Sequence, residues 1–402
     1  MTGKLYYGDC LTVMEEMPGQ SVDLIYLDPP FNSNRNYNSI YKDETGRELP
    51  DQIDAFCDMW ELDAATLNGI NHMPVLVKEA GIDDDVATFW RFWMNALRNT
   101  QPQLLAYLFY MMMRLLEMKR LMKPHASIYL HCDQTASHYI KILMDGIFGH
   151  DQFRNDVVWR RATSHNDGKQ FGRITDHILF YTKAGRWTWN GDAVAVPRTD
   201  EEVVRDYPSD DDDGRGRYRS SDLTPAGQRP SGESSIAWRD YDVDARGRHW
   251  SPPRQGEYAA FIEREFIPGY RSVDSIHERL DALDEAGLIR HPVSGFWPGL
   301  KRYAKADTGK PPQNITLNPT GFTNYNVGKG EHMGFQTQKP LGLLDRSSRS
   351  PVIQGTWCSI HSVVVQPRWK LRIVSAGNGS ASTLLSTRSS ELPESGCEIG
   401  WG

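Results

Sequence analysis

The run Val22-Asp23-Leu24-Ile25-Tyr26-Leu27 passes directly into Asp28-Pro29-Pro30-Phe31. A short apolar run with one charge is the pattern of a strand buried on both faces. Two successive prolines cannot donate to a ladder, so the strand must stop at Asp28. In an open α/β sheet, ligands sit outside the carboxyl ends of the strands. Asp28 is therefore expected where chemistry takes place. A carboxylate, a proline-stiffened carbonyl and the Phe31 ring then lie within a few residues of one another. That set suits a flat ring bearing an exocyclic amine, with the ring on Phe31 and the two N–H bonds on Asp28 and the Pro29 carbonyl. The plain alternative is a strand closed by a proline turn with a capping Asp.

The surrounding pattern alternates strands and helices. Strands are expected at Lys4–Tyr7, Ser127–His131, Val157–Trp159 and His177–Tyr181, and helices at Leu104–Lys123 and Ala136–Ile147. Pro124-His125 is expected to turn the chain between helix and strand. Such alternation implies an α/β sheet with helices on both faces. Residues 41–100 read as an acidic, partly helical insertion within a first part spanning 1–185. Residues 186–314 are rich in Gly, Pro, Ser, Asp and Arg, with one helical stretch at Val273–Leu288, and read as a second, inserted module. Residues 315–346 return to an ordered pattern, and 347–402 are Ser-rich without helical or strand period.

Charge is segregated. The chain of 402 residues carries a net charge of −7, which speaks weakly against nucleic acid. Residues 41–90 hold twelve Asp and Glu against three Lys and Arg, whereas residues 154–187 hold seven Lys and Arg against three Asp. A basic face on an acidic protein can still bind phosphates, because binding follows the local field. Arg160, Arg161, Lys169 and Arg173 are the candidate DNA contacts, with an idle solvated face as the alternative. The five cysteines form no CxxC pair, so neither a disulfide framework nor a metal site is expected. The run Leu104–Met113 is too short to span a bilayer, and Met1–Leu5 has no apolar leader, so a cytoplasmic protein without membrane attachment is expected. Neither GxGxxG nor GxxxxGK[ST] occurs, which removes the nicotinamide dehydrogenase and P-loop classes. No Pro-Cys occurs, as a cytosine-C5 methyltransferase would need.

Taken with Gly8-Asp9 upstream and Thr337-Gln338-Lys339-Pro340 downstream, the Asp28–Phe31 loop resembles that of the amino-methylating DNA methyltransferases. These modify adenine N6 or cytosine N4. The likeness is to the subgroup with the catalytic motif near the N-terminus and the cofactor glycine motif near the C-terminus, which includes type III modification subunits. It covers residues 4–38, 104–185 and 315–345. The resemblance implies a Rossmann-like S-adenosylmethionine-dependent methyltransferase sheet with a target-recognition region at 186–314. It implies catalytic roles for Asp28, Pro29, Pro30 and Phe31. It places Asp9 near the adenine end of S-adenosylmethionine and Thr337 and Lys339 beside its methionine end, with Asp28 also bordering the cofactor. Double-stranded DNA is the implied partner, read by flipping the target base out of the stack, with a restriction subunit or a second copy as further partners. An Asp at the first motif position favours adenine N6. Cytosine N4 and a catalytically dead DNA-binding remnant are the alternatives.

The tail departs from that pattern. An Asp-Pro-Phe-x-Gly-x-Gly-like strand and loop is expected soon after Lys339, followed by an acid at the end of the next strand, and neither is present. Residues 355–367 can be encoded by codons that, regrouped from the last base of the Gly355 codon, read Asp-Met-Val-Leu-Asp-Pro-Phe-Cys-Gly-Cys-Ala-Thr. The same shift lets Gly377–Leu385 read Arg-Gln-Trp-Leu-Gly-Ile-Asp-Ile-Ala. Two matches in one frame, in the right order, point to a one-nucleotide slip near codon 346. The segment 347–402 is thus expected to be out of frame and the fold incomplete at its C-terminal end, with a divergent tail as the alternative.

Overall fold

The computed structural model describes residues 3–6, 9–29, 60–162, 169–227, 229, 232–292, 297–307, 309–316, 339–340, 342–344, 347, 357–363 and 370–376. It divides into two compact units, Met1–Val194 with Pro311–Gly402, and Ala195–Lys310.

The first unit is built on a mixed sheet. Its elements are β1 (Gly3–Tyr6), α1 (Cys10–Glu15), β2 (Val22–Leu27), α2 (Ala64–Glu79), α3 (Asp84–Thr100), α4 (Pro102–Leu121), β3 (Met122–Cys132), α5 (Ser137–Phe148), β4 (Phe153–Arg160) and β5 (Thr175–Thr182). After the second unit come β9 (Ile315–Thr316), β10 (Trp357–Val363) and β11 (Lys370–Ala376). The sheet order is β1-β11-β10-β2-β3-β5-β4-β9. β10, β2 and β3 are parallel, and β5 is antiparallel to both β3 and β4. β4 therefore runs in the same direction as β2, and the ends of β2, β3 and β4 share one edge of the sheet.

Every residue of β2 is buried, as its unbroken apolar run requires. Ile25 and Leu27 face a large core with Ile128 and Leu130 of β3 and the apolar sides of α1, α4 and α5. Leu24 and Tyr26 face the other way, onto Tyr129, Trp159, Ile178, Phe180 and Leu343. This alternation is the two-residue period of a strand.

Two details differ from the sequence expectation, at Pro124-His125 and in the tail, and the acidic insertion is helical as expected. Pro124-His125 does not turn the chain, because β3 runs through it. The register with β2 jumps from Val22↔Met122 to Leu24↔Ser127, and this irregularity absorbs the proline that could not donate to a regular ladder. The acidic insertion folds over its described part into two helices, α2 and α3, whose Met73, Trp90 and Met94 join the main core; residues 41–59 lie outside the described residues. The tail is not without strands. β10 lies beside β2 with Ile360 opposite Ile25, and β11 returns antiparallel as a hairpin. Its Ile360, Val363, Leu371, Ile373 and Val374 are residues that fit a pleated surface, although their spacing gave no clear alternation.

The second unit contains α6 (Asp200–Asp206), β6 (Tyr218–Asp222), α7 (Glu257–Glu265), α8 (Ile276–Glu285), β7 (Ile289–Arg290) and β8 (Gly299–Tyr303). Its small sheet has the order β6-β8-β7 and packs on an aromatic core that includes Trp238, Trp250, Tyr270 and Tyr303. Its two chain ends are held together. Val196 and Lys310 exchange backbone hydrogen bonds at 2.9 and 2.8 Å, and Arg198 bridges Asp206 and Asp307.

Candidate active site

Asp28 stands at the carboxyl end of β2, followed by the buried Pro29. Lys339 Nζ donates to both of its carboxylate oxygens, at 2.9 Å each. The lysine side chain is only 9% exposed and the Asp28 side chain 21%. Two sites separated by 311 residues in sequence are thus joined by a two-point ion pair. Charge-assisted pairs of this kind are the stronger hydrogen bonds of proteins.

Asp9 is engaged elsewhere. It caps α1 by accepting from the Leu11 amide at 2.9 Å, and it takes Arg114 Nη2 at 2.8 and 3.0 Å. Arg114 is buried on α4 and lies 3.3 Å from the Tyr110 ring centre. Pro30, Phe31 and Thr337 lie outside the described residues.

The four basic candidates have different surroundings. Lys169 and Arg173 are exposed. Arg160 is half-buried and its Nε donates to the Ala162 carbonyl at 3.1 Å. Arg161 Nε stands 3.1 Å from Asp176 Oδ1, an ion pair in which Oδ1 accepts no well-angled hydrogen bond. All four lie on the β4 end and the connection to β5, at the sheet edge that carries Asp28.

A buried polar row that the sequence reading missed crosses this edge. Tyr26 Oη and His131 Nδ1 are 3.0 Å apart, and His131 Nε2 is 3.2 Å from Asp176 Oδ2. His131 is fully buried, and Tyr26 and Asp176 are each 2% exposed. Burial, together with the nearby Lys339 charge, lowers the His131 pKa from its ordinary value against the opposing pull of Asp176 and Asp28. Burial first, and then the Asp28 and Asp176 charges, raises that of Tyr26. The sequence signal was a His closing the apolar run Ile128-Tyr129-Leu130 and an Asp two residues before the apolar run Ile178-Leu179-Phe180. Among the described residues no cluster of His, Cys, Asp or Glu converges as a metal site.

The N6_N4_Mtase family model, described as DNA methylase, matches residues 22–350. The chain belongs to this DNA methylase family. It is 24% identical over 316 residues to the type II methyltransferase M.EcaI of Enterobacter cloacae, an alignment covering 77% of this chain and 59% of that protein. It is 26% identical over 345 residues to the type III restriction-modification enzyme StyLTI Mod subunit of Salmonella typhimurium, covering 84% of this chain and 45% of that protein. The chain thus spans about half the length of these curated relatives. Among solved structures it resembles PvuII DNA methyltransferase (cytosine-N4-specific), with 12% identity and a TM-score of 0.27 over 47% of this chain and 52% of that one.

In sequence, the residues after β10 differ from the cofactor loop that the resemblance implies. The connection 364–369 is Val-Val-Gln-Pro-Arg-Trp, without a glycine for close backbone approach, and β11 ends in Ser375-Ala376, without an acid for a ribose diol.

Proposed function

We propose that this chain is a DNA methyltransferase that places a methyl group from S-adenosylmethionine on the exocyclic N6 amine of adenine in double-stranded DNA. The observation that carries this reading is Asp28 at the carboxyl end of a buried strand, clamped by Lys339, within a chain of the DNA methylase family. A conjugated amine is a poor nucleophile because its lone pair is delocalised into the ring. The Asp28 carboxylate accepts one amine N–H and the Pro29 carbonyl the other. Both contacts favour the tetrahedral amine, whose lone pair is free to attack. Phe31 stacks on the flipped base, and Lys339 holds the Asp28 carboxylate in place. The relatives named Mod subunit support a restriction subunit as a partner.

The tail bears on the methyl donor. In the proposed reading, a one-nucleotide slip near codon 346 replaces the encoded glycine turn and ribose acid with residues 347–402. Three observations support it. The family match stops at residue 350. The connection after β10 lacks glycine. The shifted Asp-Met-Val-Leu-Asp run overlaps the first codons of β10, the strand parallel to β2.

Tritium transfer from labelled S-adenosylmethionine to DNA, run on the chain as written and on a chain with the shifted reading after Arg346, tests both statements. Product digestion to nucleosides should give N6-methyladenine. N4-methylcytosine in its place would reassign the target, and no transfer from either chain would overturn the methyltransferase reading. Isothermal titration should show S-adenosylmethionine binding by the shifted chain only. Equal, tight binding by the written chain would mean that 347–402 is a genuine divergent tail.

A further inference from the structure

The small sheet of the second unit sets two arginines side by side. In the antiparallel pairing of β6 with β8, Arg219 stands directly opposite Arg302. Side chains directly opposite one another have Cβ atoms about 5 Å apart, and like charges there weaken a sheet. Arg219 is exposed and Arg302 half-buried. The acids around them are engaged elsewhere. Asp206, whose charge reaches Arg219, is held by Arg198 Nη1 at 2.6 Å and by Arg205 Nε at 2.7 Å. Asp222 alternates onto the other face of β6 and pairs with Arg248.

Each guanidinium lies against an aromatic ring. Arg302 Cζ is 4.6 Å from the Tyr258 ring centre, and Arg219 Cζ is 5.5 Å from that of Tyr207. Both rings are tied down. The Tyr207 hydroxyl donates to Asp307, and the Tyr258 hydroxyl donates to the Lys301 carbonyl and accepts from the Tyr303 amide at 3.1 Å. Arg302 Nε donates to Ser221 Oγ at 3.1 Å. Among the described residues, the terminal nitrogens of Arg302 and the guanidinium of Arg219 meet no acceptor within hydrogen-bond distance. Two planar donor forks are thus oriented together. A phosphate oxyanion between them would offset their repulsion and accept from both.

We propose that Arg219 and Arg302 clamp one backbone phosphate of duplex DNA. Arg160, Arg161, Lys169 and Arg173 belong to the first unit, so the clamp gives the second unit a hold of its own on the duplex. It anchors that unit without reading sequence, since phosphate contacts position and base contacts specify. This inference rests on the methyltransferase reading proposed above, which supplies DNA as the source of the phosphate.

The test is a fluorescence-anisotropy titration of labelled duplexes with the full chain, over a series of salt concentrations, and it needs no methyl donor. Arg219→Gln and Arg302→Gln should each weaken binding roughly tenfold, the scale of one charge-assisted hydrogen bond, and for all duplex sequences alike. Because one phosphate is shared, the double variant should lower the slope of log affinity against log salt by about 0.9. A loss of about twice that would mean two separate phosphates and overturn the shared clamp. Arg302→Lys keeps the charge without the planar fork, so it should keep the slope while losing affinity. It also keeps the test open should Arg302→Gln fail to fold. Parental affinity and slope in folded Arg219→Gln and Arg302→Lys proteins would leave both arginines on a solvated surface and overturn the clamp alone. Melting curves in inorganic phosphate, against chloride at equal ionic strength, separate the two sources of phosphate. A phosphate-specific rise in the parent that is lost in Arg219→Gln, with DNA affinity unchanged between them, would assign the site to free phosphate and overturn the DNA assignment. A parent that binds no duplex would sink the methyltransferase reading, and the clamp with it.

Discussion

Lys339 Nζ lies 2.9 Å from each carboxylate oxygen of Asp28, so the ammonium bisects the carboxylate across a gap of 311 residues in sequence. The pair fixes where both oxygens point. Asp28→Ala should abolish methyl transfer, at a cost of roughly a hundred- to a thousandfold for a lost preorganised contact, with DNA affinity largely intact. Lys339→Met should cost less. If the lysine acts through Asp28, the double variant should be no slower than Asp28→Ala alone, because residues that act as one unit are not additive. Additive losses in single-turnover rates would show that Lys339 acts on something other than Asp28.

Asp28 was legible in the sequence because a proline pair marks where a buried strand must stop. Lys339 was legible as a candidate, but its partner was not. The resemblance places it beside the methionine end of the cofactor, and the fold brings its ammonium to Asp28. The polar row was not legible at all. Tyr26, His131 and Asp176 are far apart in the chain, and their meeting depends on the register of β2, β3 and β5. Strand position could be read from apolar runs, whereas register is set by non-local pairing. Pro124 failed as a turn signal for the same reason, since an irregularity in the β2–β3 pairing accommodates it.

The exposed pair Lys169 and Arg173 should behave as phosphate contacts. Each contact removed by substitution to Gln should reduce the slope of log affinity against log salt by about 0.9. Base contacts would change sequence preference, whereas these should weaken binding to all duplexes alike. Unchanged affinity and slope on charge reversal of both would leave them on an idle solvated surface.

Gly146 marks a close crossing of α3 and α5. A Cβ there would lie 2.7 Å from Val86 Cγ1 and would overlap the buried Trp90 ring. Gly146→Ala gains helix propensity of up to about 1 kcal/mol. Overpacking against a fixed indole costs about 1–3 kcal/mol, so the net effect should be destabilising. Urea denaturation should show a lower midpoint with an unchanged slope, and Val86→Ala in the same chain should recover part of the loss. A raised midpoint for Gly146→Ala would mean that the indole moves aside freely.

Glu233 contributes to the acid sensitivity of the second unit at the start of α8. Its carboxylate accepts from the Ile276 and His277 amides at 2.8 and 2.9 Å and from the Ser275 hydroxyl, covering the free amides that open α8. The Ser275 hydrogen bond, joined by the two amides, holds its pKa down at about 2, from an ordinary 4.5. A depressed carboxylate stabilises the fold fully above its unfolded value and loses that contribution as the pH falls through its folded one. The window therefore runs from about 4.5 down to about 2. Amide exchange at Ile276 and His277, corrected for intrinsic rates, should accelerate across that window in the parent. Glu233→Gln still accepts one hydrogen bond but has no charge to lose, so its exchange should be faster near neutral pH and nearly flat on acidification. A parent and a Glu233→Gln variant with parallel pH profiles would place the acid-sensitive contact on another residue of this unit.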